Sequence, residues 1–181
     1  MKKILVPLAT GFEEIEFVSI VDVLRRADLD VTIASISKDL NIKGAHAIEI
    51  KADLSLITLT TEVFDAIILP GGMPGTTNLL KSTALLETIR THFNNSKLIG
   101  AICAAPWVLD AAGILAGRKA TIYPGMKDKI PSACHTPSRV VVDKNIVTGQ
   151  GPGTAIEFAL TLVEQLSNSN KANELKKTLI C

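Results

Sequence analysis

Lys97-Leu98-Ile99-Gly100-Ala101-Ile102-Cys103-Ala104-Ala105-Pro106 is the stretch that decides the fold. Its apolar run up to Ile102 is the length of a strand buried on both faces. Trp107-Val108-Leu109 and Ala111-Ala112 then continue as a short helix that stops at Gly113. Strand, tight turn and helix succeed one another with a cysteine at the turn.

Outward from this stretch the same alternation recurs. Ile4 to Leu8 reads as a buried strand, ended by Thr10-Gly11. A helix from about Glu14 to Ala27 carries Ile15, Val18, Val21 and Leu24 at a spacing of three. Val31 to Ala34 is a β-branched strand, and Ala47 to Ile50 an outer strand or hairpin arm. Phe64 to Leu69 is a strand that runs into Pro70-Gly71-Gly72-Met73-Pro74-Gly75, and a helix from about Thr83 to Phe93 comes next. Arg139 to Val142 and Ile146 to Thr148 read as a hairpin. The last long helix carries Ile156, Ala159, Leu160, Val163 and Leu166, with a polar tail and a short helix behind it. This pattern predicts one doubly wound α/β domain over residues 1–181, with a mostly parallel sheet and helices on both faces. Ligands of such sheets bind beyond the carboxyl ends of the strands. The loop from Gly11 to Glu16, the Pro70-to-Gly75 loop and Cys103 all fall there.

Composition narrows the function. Of the 181 residues 47% are hydrophobic but only 4% aromatic, so the core is aliphatic. The formal charge is +1 and no basic run is present, which argues against a stable nucleic-acid complex. No apolar stretch reaches about 18 residues, so no membrane span is expected. Lys2 and Lys3 precede a short apolar run, and Glu13, Glu14 and Glu16 come close behind it, unlike a signal peptide. The expected location is therefore the cytoplasm. Cys103, Cys134 and Cys181 form neither a disulfide framework nor a C-x-x-C zinc pair, and no metal or cofactor is expected.

Ala101 and Ala105 take the small positions of a nucleophile elbow around Cys103. The N-terminus of the next helix would favour the thiolate. A buried structural cysteine explains the same residues equally well. In the glycine loop, adjacent N–H groups would form an oxyanion hole, and a plain turn is the simpler reading. Glu13 and Glu14 complement a helix start. Glu16 stands nearer the strand end, where a protonated carboxyl would donate a hydrogen bond to the sulfur. His46, His92 and His135 share no motif spacing with Cys103 and read as surface or loop histidines. Cys134 reads as a loop cysteine. Gly149 to Thr154 lacks the pattern of a nucleotide-binding loop.

Taken in order, Gly11-Phe12-Glu13-Glu14-Ile15-Glu16, Leu69-Pro70-Gly71-Gly72, Ala101-Ile102-Cys103-Ala104-Ala105-Pro106 and Gly151-Pro152-Gly153-Thr154 resemble the DJ-one family of the ThiJ/PfpI superfamily, on its bacterial deglycase or glyoxalase III-like branch. The resemblance runs from Lys2 to about Leu166. It implies a flavodoxin-like sandwich within the class I glutamine amidotransferase-like fold, and a homodimer. It implies a reactive Cys103 hydrogen-bonded to a protonated Glu16, with backbone N–H groups from Gly72 and Ala104 and a pocket that includes Gly71, Tyr123 and His46. The implied activity is glutathione-independent glyoxalase or protein and nucleotide deglycase, acting on methylglyoxal, glyoxal or their adducts. The implied alternative is a non-enzymatic redox sensor or redox-regulated chaperone using the same cysteine. Ala104 stands where the intracellular-protease branch has a histidine, which argues against a peptidase. Tyr123 stands where animal members carry a histidine, and His46 where they carry an arginine.

Overall fold

This computed structural model describes residues 1–59 and 63–181. In chain order the elements are β1 (Lys3–Leu8), α1 (Glu14–Arg26), β2 (Asp30–Ser35), β3 (Asn41–Lys43), β4 (Glu49–Lys51), β5 (Leu54–Ser55), β6 (Ala66–Leu69), α2 (Gly75–Leu80), α3 (Thr83–Asn94), β7 (Leu98–Ile102), α4 (Pro106–Ala111), β8 (Lys119–Ala120), β9 (Cys134–His135), β10 (Val140–Asp143), β11 (Ile146–Gly149), α5 (Ala155–Leu166) and α6 (Ser169–Thr178). A seven-stranded sheet runs β10-β11-β7-β6-β1-β2-β5. It is parallel except for the antiparallel β10–β11 hairpin.

Alternate strand residues feed two cores, as the two-residue pleat requires. Ile4, Val6, Ile68 and Val147 pack under α1, α5 and α6, where Phe17, Ile20, Phe158 and Leu162 meet them. Leu5, Ile67, Leu69 and Ile99 pack under α2, α3 and α4 with Leu79, Leu85, Ile89, Val108 and Leu109. Helices therefore cover both faces, as the sequence pattern predicts. Gly100 lets α5 come down on β7, since a Cβ there would stand 3.1 Å from both Leu162 and Phe158.

The stripe expected on α1 needs correction. Ile15 and Val18 are exposed, and the core face is Phe17, Ile20, Val21, Val23 and Leu24. A step of three residues turns the helix by about 300°, so a run of such steps drifts off one face. Ile156, at the start of α5, is exposed as well. Cys134 lies in β9 and pairs with Lys119 rather than in a plain loop. The β3–β4 hairpin turns the expected outer arm back beside the start of α1.

Candidate active site

The turn after β7 has the geometry of an elbow. Cys103 adopts φ +62°, a left-handed conformation that non-glycine residues rarely take. Its N–H donates to Gly149 O at 2.9 Å, and its carbonyl accepts from Tyr123 N at 2.9 Å. Two neighbouring segments thus hold the strained residue, and its side chain is lifted above the sheet.

The loop after β6 approaches from one side. Gly72 sits at φ +95°, and Glu13 N donates to Gly71 O at 3.0 Å, tying this loop to the start of α1. A Cβ on Gly71 would stand 2.7 Å from Cys103 Cβ and 2.9 Å from Glu16 Oε2. Glycine is required there because the cysteine and the glutamate both close on this backbone. Gly71 N donates to Glu16 Oε2 at 2.8 Å. Glu16 Oε1 is buried with no hydrogen-bond partner among the described residues, and the carboxyl as a whole is coupled to the Cys103 thiol.

Electrostatics couple the two. Burial lifts the Glu16 carboxyl to about 7, against the pull of the Gly71 N–H and Cys103, while the charge of Glu13 adds to the rise. Burial also lifts the Cys103 thiol to about 12, with the charge and hydrogen bond of Glu16 adding to it. The N–H groups of Ala104 and Gly72 pull the thiol the other way. The backbone donors expected to favour the thiolate are present, and burial beside a carboxyl acts against them. The two groups titrate as a pair. The pair is neutral below about 7 and carries one negative charge above it, held chiefly by Glu16 while the lifted thiol keeps its proton.

The remaining residues divide. Tyr123 stands at the site: a Cβ on Gly151 would lie 3.2 Å from its ring and 3.9 Å from Cys103 Sγ. His46 does not join Cys103 in any hydrogen bond among the described residues. It lies exposed, with Nδ1 2.9 Å from Glu14 Oε2 and 3.7 Å from Glu13 Oε2. Glu14 does more than complement a helix start. It grips the β3–β4 loop, accepting from His46 N at 2.7 Å and Ile48 N at 3.4 Å. Sequence reasoning assigns no role to Gly151, which borders the sulfur. The signal is present, since Gly151 begins the last of the four motifs that carry the resemblance. Among the described residues no histidine hydrogen-bonds Cys103, so the cysteine has no imidazole base.

A family model described as the DJ-1/PfpI family matches residues 2–165. Protein dj-1beta of Drosophila melanogaster is 39% identical over 99% of this chain and 97% of its own length. A Caenorhabditis elegans protein named glutathione-independent glyoxalase DJR-1.2 is 40% identical over 92% of this chain and 89% of its own length. The chain spans 46% and 41% of two longer Arabidopsis thaliana DJ-1 homologues, at 42% and 43% identity. The solved structure of oxidized Toxoplasma gondii DJ-1 superposes with a TM-score of 0.96, at 42% identity over 99% of this chain and 98% of that one.

Proposed function

The chain belongs to the DJ-1/PfpI family, and from that premise we propose that it is a glutathione-independent glyoxalase, acting on methylglyoxal, glyoxal and similar α-oxoaldehydes through Cys103. One observation carries this reading: a cysteine held at φ +62° whose partner carboxyl, Glu16, is lifted to about 7. Such a carboxyl exchanges a proton near neutrality, which is what a proton shuttle requires.

The reactive form is the tautomer in which the thiol proton has passed to Glu16 and the charge sits on sulfur. The thiolate attacks the aldehyde carbon, forming a C–S bond, and the oxygen takes a proton to complete a hemithioacetal. The N–H groups of Gly72 and Ala104 steady that oxygen. Glu16, now ionised, removes the hydrogen on the former aldehyde carbon and returns a proton to the neighbouring ketone carbon. The former aldehyde carbon is oxidised to a thioester and the ketone is reduced to an alcohol. Water then breaks the C–S bond, giving lactate from methylglyoxal and restoring the thiol. The same attack on an aldehyde-derived adduct of a protein or nucleotide would give deglycation.

The test supplies methylglyoxal without glutathione to the wild type and to Cys103→Ala, and measures lactate. Turnover by the wild type alone is expected. No turnover, with stoichiometric sulfinate at mild peroxide, would favour the redox-sensor reading instead. That second reading is supported by the free, half-buried Cys103. We also propose that the protein works in the cytoplasm as a homodimer. Exposed Ile15, Val18 and Ile156 on neighbouring helices support pairing, and light scattering tests it.

A further inference from the structure

A cavity of about 310 Å³ lies beside the site, lined by Tyr123, Lys127, Asp128, His135, Pro137 and Gln150. It uses none of the groups assigned to the chemistry above, yet it joins them through two residues. Tyr123 lines it and also donates its N–H to Cys103 O. Gln150 lines it and directly precedes Gly151, the glycine at which a Cβ would stand 3.9 Å from the sulfur. The Tyr123 ring is thus the partition between the reactive sulfur and this space.

The lining has a distinct chemistry. Lys127 and Asp128 come from a short 3₁₀ turn, His135 from β9, and Gln150 directly follows β11. Among the described residues the side chains of Lys127, His135, Gln150 and Asp128 have no hydrogen-bond or ion-pair partner. Nearby Arg139 is engaged, by Glu157 at 2.7 Å and Gly153 O at 2.9 Å. Lysine, imidazole, amide and phenol all offer donors, against one acceptor-only group, Asp128. Pro137 adds an apolar wall. Separate segments therefore deliver unspent donors to one cavity of ligand-binding size.

We infer that this cavity is a substrate subsite, which takes the anionic far end of an α-oxoaldehyde whose aldehyde carbon is held at Cys103. The inference rests on the proposed glyoxalase reading and narrows its substrate class. Carboxylate and phosphate termini share this chemistry, and Tyr123 sets how much chain separates the terminus from the reacting carbon.

The experiment compares 2-oxopentanal with 4,5-dioxopentanoate, which carries a carboxylate in place of the terminal methyl. Hydroxypyruvaldehyde phosphate supplies the phosphate arm. The wild type is expected to favour the anionic substrates in kcat/KM. Lys127→Gln with His135→Gln should lower the anionic-to-neutral ratio about tenfold, through KM, and Lys127→Glu should lower it further. Both positions are exposed, so folding is not at stake. A higher ratio for phosphate than for carboxylate supports the subsite and identifies its terminus. A ratio near one in the wild type, or one that both variants leave unchanged, overturns it.

A second measurement does not depend on turnover. Levulinate, an unreactive ketone with the same carboxylate end, should slow alkylation of Cys103 by iodoacetamide more than 2-pentanone does. Lys127→Glu should abolish that difference. Equal protection by the two ketones removes the subsite whether or not the protein is a glyoxalase. Selective protection without turnover keeps the subsite and removes the glyoxalase reading.

Discussion

Glu14 and Glu16 stand two residues apart on α1, both buried, and they titrate in opposite directions. Burial acts first on each and pushes both upward. Glu14 nevertheless ends below its ordinary 4.5, because the His46 side chain and backbone N–H groups, including those of His46 and Ile48, reach its carboxylate. Among the described residues Glu16 receives the Gly71 N–H alone as a conventional donor and faces a thiol, so burial wins and the group rises to about 7. Two helical residues apart is a rotation of about 200°, which aims one side chain at the β3–β4 loop and the other into the crevice. Each carboxyl closes against a glycine, Gly44 for Glu14 and Gly71 for Glu16. The contrast shows that burial alone does not raise a carboxyl. Burial with few donors does.

The largest expected effect comes from removing the proton at Glu16. Glu16→Gln keeps the acceptor for Gly71 N–H but cannot exchange a proton. Methylglyoxal turnover should fall by about 10²- to 10⁴-fold. The midpoint of the ultraviolet absorbance that reports the Cys103 thiolate should move to lower pH, because the Glu16 charge that helps lift the thiol is gone. An unchanged midpoint would mean that Glu16 and Cys103 do not titrate as a pair.

Next is the pH dependence of stability, where the two glutamates oppose each other. A raised carboxyl keeps its proton in the folded protein at pH values where the unfolded chain has lost it. The contribution of Glu16 to stability therefore falls as pH rises from 4.5 through about 7, by about 3 kcal/mol, and is level above that. Glu16→Gln should remove this fall in denaturant unfolding at pH 5, 6, 7 and 8. For Glu14 the sign is reversed. Its lowered folded value gives stability that is complete above 4.5 and is lost as pH falls through that folded value.

Smaller again is the effect of Glu14→Ala, which strips the acceptor from His46 N and Ile48 N. The expected cost is about 1–3 kcal/mol. Hydrogen exchange should quicken at those two amides first and leave Gly71 protected. Faster exchange at Gly71 as well would mean that the two carboxyls do not act separately.

The range of the forces involved decides how much of this is legible in the sequence. The parallel sheet, the order of helices and the elbow at Cys103 are readable because period and turn chemistry are local. Glu16 stands out because its place in the first turn of a helix after a strand points it at the crevice. Glu14 does not, because its partners His46 and Ile48 are 32 and 34 residues away and arrive on a hairpin whose docking leaves no periodic mark. The exposed faces at Ile15 and Val18 mislead because apolar spacing does not say which side of a helix meets the sheet. Gly151 escapes notice as a neighbour of the sulfur because β11 joins β7 only in three dimensions, with Gly149 paired to Ile102. The thiol's upward shift is unreadable for the same reason, since it depends on the residues that cover Cys103 in space and not on its neighbours in the chain.

The last and smallest effect isolates the Glu14 half of the contrast. His46 is raised above its ordinary 6.5, first by its hydrogen bond to Glu14, then by the charges of Glu13 and Glu14. A proton-detected titration of the imidazole should therefore give a midpoint above 6.5 in the wild type. Glu14→Gln removes the largest cause and leaves Glu13 at 3.7 Å, so the midpoint should move down yet stay above the ordinary value. Glu16→Gln should not move it, because the Glu16 carboxyl bonds Gly71 on the other side of the turn. A shift in His46 on changing Glu16 would join the clamp to the crevice and end the division between the two glutamates. No shift on changing Glu14 would remove the hydrogen bond as the reason that Glu14 stays ionised while Glu16 holds its proton.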